Sequence, residues 1–297
     1  MRTLPALLLG LLLAACAPSR HADAPPPREA RPALWKLADD DTTIYLFGTI
    51  HVLPTGYRWQ TGPVAPAIAS AKTLVIETLI GDDPAATSAL LLRMGKPAAP
   101  LPPLLERVPT AKRAALAAMI ARSGIPAAFL DGQETWTAAL LLVGTTLTDM
   151  KLVAGDGVEP QIQASFKARN LPIEGLETPE EQLGFFDRLP EAAQRDFLAA
   201  MVEDPAQMRT EYDAMLAAWA RGDPKAIAAT FDDELKDSPD LRQSLLVQRN
   251  RNWAKWLEKR LDSPGTVLVA VGAGHLVGRD SVQVMLARDG LKVVRVQ

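Results

Sequence analysis

Short apolar runs alternate with long amphipathic stretches along the chain, and this pattern predicts an α/β protein. Two β-prone runs flank a polar turn at 39–41 and predict a hairpin. Ala- and Leu-rich segments with helical spacing fill residues 84–150 and 180–261. Further apolar runs typical of strands, with a helix predicted between the last two, are 73–77, 171–177, 266–272 and 292–297. The expected fold is a mixed central sheet, drawn from both ends and the middle of the chain, with an extensive helical layer.

The first 32 residues differ in composition from the rest and predict export. Residues 1–16 contain one Arg, an apolar core and a final Cys16, and the ending Leu-Ala-Ala-Cys resembles the lipobox at which bacterial lipoproteins are acylated. Cys16 is the only cysteine, so a disulfide within the chain is impossible. Residues 17–32 are rich in Pro and Ala and predict an extended tether before a body at 33–297. A plain cleaved signal peptide is the alternative.

The lipoprotein interpretation predicts a periplasmic protein that a lipid on its N-terminus anchors to a membrane. Ala17 stands where an Asp commonly retains lipoproteins in the inner membrane, so we expect the outer membrane of a Gram-negative bacterium. In the body, charge interrupts each apolar run well before the ~20 residues that a membrane-spanning helix needs. The net charge of -3 and the pI of about 5.7 argue against nucleic acid as a partner, because nucleic-acid-binding proteins usually carry a basic face.

Two of the three histidines occupy similar positions in the body of the chain. His51 and His275 each follow an apolar run and stand three residues after a glycine, Gly48 and Gly272. Ligand sites of α/β sheets commonly form at strand ends. Glycine permits a tight turn and the close approach of a ligand. The paired Gly-x-x-His turns are therefore the first candidate for a functional site.

Two carboxylates also stand at the ends of predicted strands. Glu77 closes the run 73–77, and Glu177 closes the run 171–177. If these strands lie side by side, two imidazoles and one or two carboxylates converge at one edge. That set suits a divalent transition metal with open coordination positions, and the second carboxylate could act as a general base.

Each of these residues also has a purely structural interpretation. A histidine after a strand is often a polar residue satisfied by backbone hydrogen bonds, and Glu77 could cap a helix or pair with an Arg. Thr178 and Glu181 have the spacing of a capping box, which leaves only Glu177 of its segment as a functional candidate.

The basic segment 248–260 predicts a helix whose tryptophans pack on the core. Arg249 or Asn250 could instead face the site and bind a carbonyl oxygen or an oxyanion, but the residues alone favour packing. Residues 155–159 are predicted as a loop. Other aromatic residues in helical regions are predicted to lie in the core: Trp136, Tyr212 and Trp219.

Taken in order, several motifs resemble the TraB/GumN family over residues 33–297. The most specific part is the pair of Gly-x-x-His turns. That family is similar to the Tiki proteins, metal-dependent proteases that use such turns and acidic residues, and its fold is related to erythromycin esterase-like and ChaN-like proteins. The matching segments are LFGTIHVLP, LVIET, GVEPQIQASFKARNLPIEGLETPEEQ, RNRNWAKWL and VAVGAGHLVG.

The resemblance implies a single domain and assigns roles to the candidate residues. It implies that His51, His275 and Glu77 hold Mn²⁺, Co²⁺ or Zn²⁺, and it makes Arg249 and Asn250 candidates for the site as well. Under this interpretation Glu177 is a general base or orients a ligand, and Arg249 stabilises an oxyanion. Glu159 stands where many relatives carry Asp, which leaves its role open.

The expected function is that of a lipid-anchored metal-dependent hydrolase, foremost a peptidase. Two alternatives stay open. One is a non-catalytic lipoprotein that carries haem, a metal or a peptide, since a histidine can also be an axial haem ligand. The other is an esterase-like hydrolase of small molecules that uses carboxylate and histidine chemistry without a metal.

Overall fold

The computed structural model describes residues 28–81, 83–152 and 157–297. The predicted signal segment, Cys16 and most of the tether lie outside the described residues. The end of the predicted tether, residues 28–32, packs onto the body, because Arg28–Glu29 pairs with Tyr57–Arg58 and Ala30 is fully buried. Among the residues that the structure describes, none of the helices combines the length and the apolar composition of a membrane span.

The strands of the six-stranded sheet follow the predicted apolar runs closely, whereas the short strands Arg28–Glu29 and Tyr57–Arg58 lie outside those runs. Their bounds are β1 Arg28–Glu29, β2 Leu34–Ala38, β3 Thr42–Thr49, β4 Tyr57–Arg58, β5 Thr73–Thr78, β6 Ile173–Glu177, β7 Gly265–Gly272 and β8 Val293–Arg295.

Helices occupy the predicted amphipathic segments and some of the connections between strands. The α-helices are α1 Val64–Ser70, α2 Pro84–Met94, α3 Arg113–Ser123, α4 Ala127–Asp131, α5 Thr135–Asp149, α6 Val158–Ala168, α7 Pro179–Asp187, α8 Glu191–Met201, α9 Pro205–Ala220, α10 Pro224–Leu235, α11 Pro239–Arg242, α12 Arg249–Arg260 and α13 Val282–Arg288. Short 3₁₀ turns lie at Leu104–Arg107, Thr110–Lys112 and Ala273–Leu276, and a π-helical turn at Gln243–Gln248 leads into α12.

Six strands form one mixed sheet in the order β6-β5-β7-β3-β2-β8. The four strands β6, β5, β7 and β3 run parallel, so their carboxyl ends share one edge. The predicted hairpin is confirmed as the antiparallel pair β2–β3. The last two strands of the chain are not neighbours, because β8 pairs with β2 at the outer edge. The predicted α/β class with a mixed sheet is confirmed.

Apolar side chains cover both faces of the sheet. Alternate residues of β7 enter different clusters, with Val267 and Val269 on one face and Leu268 and Ala270 on the other. Helices α12 and α13 cover the first face, and the larger set of helices covers the second. The predicted core residues Trp136, Tyr212 and Trp219 are at most 1% exposed, so that prediction is confirmed.

Helix α9 holds the first Gly-x-x-His turn by two buried hydrogen bonds. The hydroxyl of Tyr212 donates to the carbonyl of Val52 at 2.8 Å, and the indole of Trp219 donates to the carbonyl of Gly48 at 2.8 Å. These donors bind carbonyls on either side of His51 in the sequence. The helical layer therefore fixes the backbone on both sides of His51.

Replacing Tyr212 by phenylalanine should cost about 1–2 kcal/mol of unfolding free energy, because the buried carbonyl of Val52 loses its donor. Urea unfolding monitored by circular dichroism measures this cost. The half-exposed Tyr57 is the matched control, and Tyr57→Phe should change stability by less than ~0.5 kcal/mol. Equal effects of the two substitutions would show that the Tyr212 hydroxyl does not hold the turn.

Candidate active site

The parallel strands bring both Gly-x-x-His turns to one edge of the sheet. Strands β3 and β7 are neighbours, with Gly48 opposite Val271 and Thr49 opposite Gly272. His51 and His275 therefore follow adjacent strands at the same end. On the other side of β7, strand β5 carries Glu77 as its penultimate residue at this edge, and β6 ends there with Glu177. The convergence expected from the sequence is present in the fold.

Gly272 is important because it lacks a side chain, not because its backbone adopts a conformation that only glycine can reach. Its φ of -49° and ψ of 135° are accessible to any residue. A Cβ at this position would lie 3.1 Å from Glu77 Oε1, 3.5 Å from His51 Nε2 and 3.7 Å from His275 Cδ2. The missing side chain therefore leaves a small space that these three side chains surround. Gly48 also permits a close approach, because its Cβ would lie 3.1 Å from the Cα of Ala273 in the second turn.

Replacing Gly272 by alanine should fill this space. We expect a stability cost of about 1 kcal/mol and at least a tenfold weaker affinity for any ion held there, because the new methyl group meets the Glu77 carboxylate. Thermal unfolding and metal titration measure the two effects separately. Gly144, inside α5 with nothing within 4 Å of its absent Cβ, is the control. Gly144→Ala should raise stability by ~0.5–1 kcal/mol without changing ion binding.

His51 forms a pair with a carboxylate that the sequence did not assign. Its Nδ1 lies 2.8 Å from Glu159 Oε1, and the hydroxyl of Thr49 donates to the same oxygen. Burial disfavours the protonated imidazole, but Glu159 and then Glu77 outweigh burial and raise the pKa of His51 to about 9. The buried Nε2 has no hydrogen-bond partner among the described residues and lies 4.0 Å from Glu77 Oε1.

Glu159 reaches His51 because a helix, not a loop, begins there. Helix α6 starts at Val158, whose amide donates to the carbonyl of Ile50 at 3.0 Å. A Cβ on Gly157 would lie 2.1 Å from the His51 carbonyl oxygen, so only glycine fits between helix and turn. The loop predicted at 155–159 is wrong for its last two residues. The glycine followed by a carboxylate at the head of an amphipathic run was the available signal.

His275 is neutral and held in one tautomer. Its Nδ1 lies 2.6 Å from Asn250 Oδ1, and the Asn250 amide donates to the carbonyl of Asp280 at 2.7 Å, which fixes the orientation of Asn250. Nδ1 therefore carries the proton, and Nε2 accepts from Arg249 Nη1 at 3.2 Å. Burial, followed by the nearby Arg249, lowers the pKa of His275 to about 3. Its Nε2 lies 3.9 Å from Glu77 Oε1.

Arg249 pairs with both strand-end carboxylates from the first turn of α12. It donates to Glu177 at 2.8 and 2.9 Å through two nitrogens, and to Glu77 Oε2 at 2.7 Å. All three side chains are at most 7% exposed. Burial alone would raise the pKa of Glu77, but Arg249 and then the two histidines lower it to about 2. Arg249 and Asn250 thus lie in the site, not only in the helix packing that their residue types favoured.

Glu177 accepts hydrogen bonds from two side chains. Besides Arg249, the indole of Trp253 donates to its Oε1 at 2.9 Å. Burial raises the pKa of Glu177 despite the opposing effect of Arg249. The capping box predicted next to it is confirmed, with Thr178 accepting from the Glu181 amide and the Glu181 carboxylate accepting from the Thr178 amide. These contacts favour Glu177 as an orienting group over a free base.

The donor set fits a divalent metal in chemistry and partly in arrangement. Both imidazoles are fixed at Nδ1 by an oxygen acceptor, as metal-ligating histidines generally are, and both Nε2 atoms lie near Glu77 Oε1. The unpartnered His51 Nε2 and the space at Gly272 also fit an ion. In the part of the chain that the structure describes, no group of three or more His, Cys, Asp or Glu side chains is already close enough to enclose one. Arg249 Nη1 would have to release His275 Nε2.

Comparison with known proteins places the chain in a family. Two curated proteins match, both called uncharacterized protein YbaP, from Escherichia coli (strain K12) and Shigella flexneri. Each is 28% identical over 166 residues, which are 55% of this chain and 60% of the relative, so the match spans less than two thirds of either protein. No solved structure matches the chain. The model of the TraB/PrgY/gumN family matches residues 33–295. The chain therefore belongs to the TraB/PrgY/gumN family.

Proposed function

We propose that the chain is a metal-dependent hydrolase, with peptides as its substrate class. The observation that carries this proposal is the placement of two imidazole Nε2 atoms beside one carboxylate oxygen, around the space at Gly272. Two neutral imidazoles and one carboxylate are the donors of many catalytic sites for divalent transition metals. The peptide substrate follows from the resemblance to the Tiki proteases, and anchoring through Cys16 in the outer membrane belongs to the same proposal.

His51, His275 and Glu77 would hold Mn²⁺, Co²⁺ or Zn²⁺, which supplies a Lewis acid for a scissile carbonyl when bound. Glu159 and Asn250 keep the two imidazoles oriented with Nε2 toward the site. Because the pKa of His51 is raised to about 9, its imidazole is protonated near neutral pH. Nε2 must lose its proton before it can bind an ion, so ion uptake would release a proton. The contacts of Glu159 and Asn250 with the two imidazoles support these proposed roles.

Arg249 supplies positive charge next to the reacting position. Its two bonds to Glu177 hold the guanidinium in place, while Nη1 and Nη2 point to His275 and Glu77. If Nη1 of Arg249 releases His275 Nε2, its N–H group can donate to a substrate oxygen that gains negative charge during the reaction. Glu177 then acts through Arg249, and a role of Glu177 as general base is disfavoured by its three bonds to Arg249 and Trp253.

One observation favours a second candidate, a hydrolase that works without a metal. The Glu159–His51 pair, with the distal Nε2 unpartnered, is the arrangement of a carboxylate-oriented imidazole that acts as general acid or base. In that case Arg249 still stabilises the oxyanion. Activity would then persist after metal removal.

Metal removal separates the two candidates. Purified protein is incubated with a peptide library, and cleavage is followed by mass spectrometry before and after dialysis against a chelator. We expect cleavage to fall at least about 100-fold and to return on addition of Mn²⁺, Co²⁺ or Zn²⁺. Full activity in chelator would reject the metal-dependent candidate and support the Glu159–His51 pair.

A further inference from the structure

The indole of Trp253 contacts three members of the candidate site. Its N–H donates to Glu177 Oε1 at 2.9 Å. Its ring centroid lies 4.7 Å from the guanidinium carbon of Arg249 and 4.3 Å from the imidazole centroid of His275, with 44° between the two rings. Trp253 itself is 2% exposed. A side chain expected only to fill the core therefore also bounds the site.

Helical spacing explains these contacts. Arg249 and Trp253 are four residues apart on α12, and Asn250 and Trp253 are three apart, so the three side chains share one face of the helix. That face meets the carboxyl ends of the strands. An aliphatic residue could fill the same volume, but it would leave Glu177 Oε1 without the indole donor. Arg249 would also lose the nearer of its two aromatic neighbours and keep only Phe185, whose ring centroid is 5.8 Å from the guanidinium carbon.

We propose that Trp253 is a positioning residue of this site. The indole N–H orients the Glu177 carboxylate, Glu177 in turn orients Arg249, and the ring face fixes the plane of the His275 imidazole. Loss of the ring frees His275 and Arg249 to change partners, so that Nε2 of His275 no longer faces Glu77 consistently. The expected effect of Trp253 on metal binding rests on the proposed function, whereas its effect on the orientation of His275 does not.

Trp256 provides a matched control for this role. It lies three residues further along α12, is also a tryptophan, and packs partly buried against the same apolar cluster. Substituting either tryptophan removes one indole that packs against this cluster. Only the substitution of Trp253 removes the contacts to Glu177, Arg249 and His275.

The first measurement needs no metal. Nitrogen-15 NMR of the imidazoles in full-length protein with chelator reports which ring nitrogen carries the proton. The wild type should show His275 in a single tautomer with the proton on Nδ1. Trp253→Leu should convert this signal to a mixture of tautomers, Trp253→Phe should show an intermediate change because the ring remains without its N–H, and Trp256→Leu should keep the wild-type signal.

The second measurement is the affinity for Mn²⁺ by calorimetric titration. Trp253→Leu should bind at least tenfold more weakly than the wild type, and Trp256→Leu within twofold of it. A changed tautomer in Trp253→Leu together with no Mn²⁺ binding by the wild type would overturn the proposed function but support the positioning role. An unchanged tautomer in both Trp253 variants would overturn the positioning role. If Trp253→Leu does not fold, Trp253→Phe decides by the same tautomer signal.

Discussion

Replacing Arg249 by methionine should destabilise the metal-free protein by about 3–5 kcal/mol, one of the two largest effects we expect from a single substitution. Methionine has a similar length and no charge, so the change leaves two buried carboxylates without their shared cation. Glu77 and Glu177 are 6% and 7% exposed, and solvent cannot replace the lost bonds. Urea unfolding at neutral pH in the presence of chelator measures the cost.

Arg93 is the matched control for this substitution. Its side chain is 66% exposed and lies 3.3 Å from Glu180, so Arg93→Met should cost less than ~1 kcal/mol. Adding Glu77→Gln and Glu177→Gln to Arg249→Met should recover much of the lost stability, because the uncompensated charges are removed. A cost for Arg249→Met no larger than that for Arg93→Met would contradict the central charge network.

Replacing His275 by alanine should abolish ion binding and peptide hydrolysis while the fold persists. Loss of an outer partner of a metal ligand typically costs about 10–100-fold in affinity, so loss of a ligand should cost at least about 100-fold. The change also frees Asn250 Oδ1 and Arg249 Nη1 from their contacts, so we expect a stability loss of about 1–3 kcal/mol. Metal titration, peptide cleavage and thermal unfolding are measured on the same preparation.

The control for His275→Ala is Arg279→Ala, four residues further along the chain. The Arg279 side chain is 75% exposed, and its ion pair with Asp280 is long, with 3.7 Å between Nε and Oδ2. Its removal should therefore leave ion binding, peptide cleavage and stability unchanged. Undiminished cleavage by His275→Ala would reject a catalytic site built around the second Gly-x-x-His turn.

The strand ends of the candidate site could be predicted from the sequence because the signals there are local. Apolar runs that stop at Gly48 and Gly272 specify strands, and strand ends are where a sheet exposes ligands. The order of the strands has no comparable local signal. The pairing of β3 with β7 joins segments more than 200 residues apart, and it alone brings His51 and His275 together.

Residues on helices were harder to assign than residues on strand ends. Arg249 and Trp253 have the spacing of an ordinary amphipathic helix, and only the position of α12 over the strand ends directs them into the site. Glu159 was missed because its contact with His51 depends on the close approach of Gly157 to the His51 turn, which no periodic pattern encodes. Sequence periodicity reports which face of an element is buried, but not what that face meets.

The most direct test of the proposed metal site is the metal content of the purified protein, measured by elemental analysis for the wild type and for the double variant His51→Ala/His275→Ala. Both proteins are first reconstituted with Mn²⁺, Co²⁺ or Zn²⁺ and then desalted. We expect about one equivalent of transition metal in the wild type and almost none in the double variant. Equal metal content in the two proteins, or none in either, would contradict a metal site shared by the two Gly-x-x-His turns.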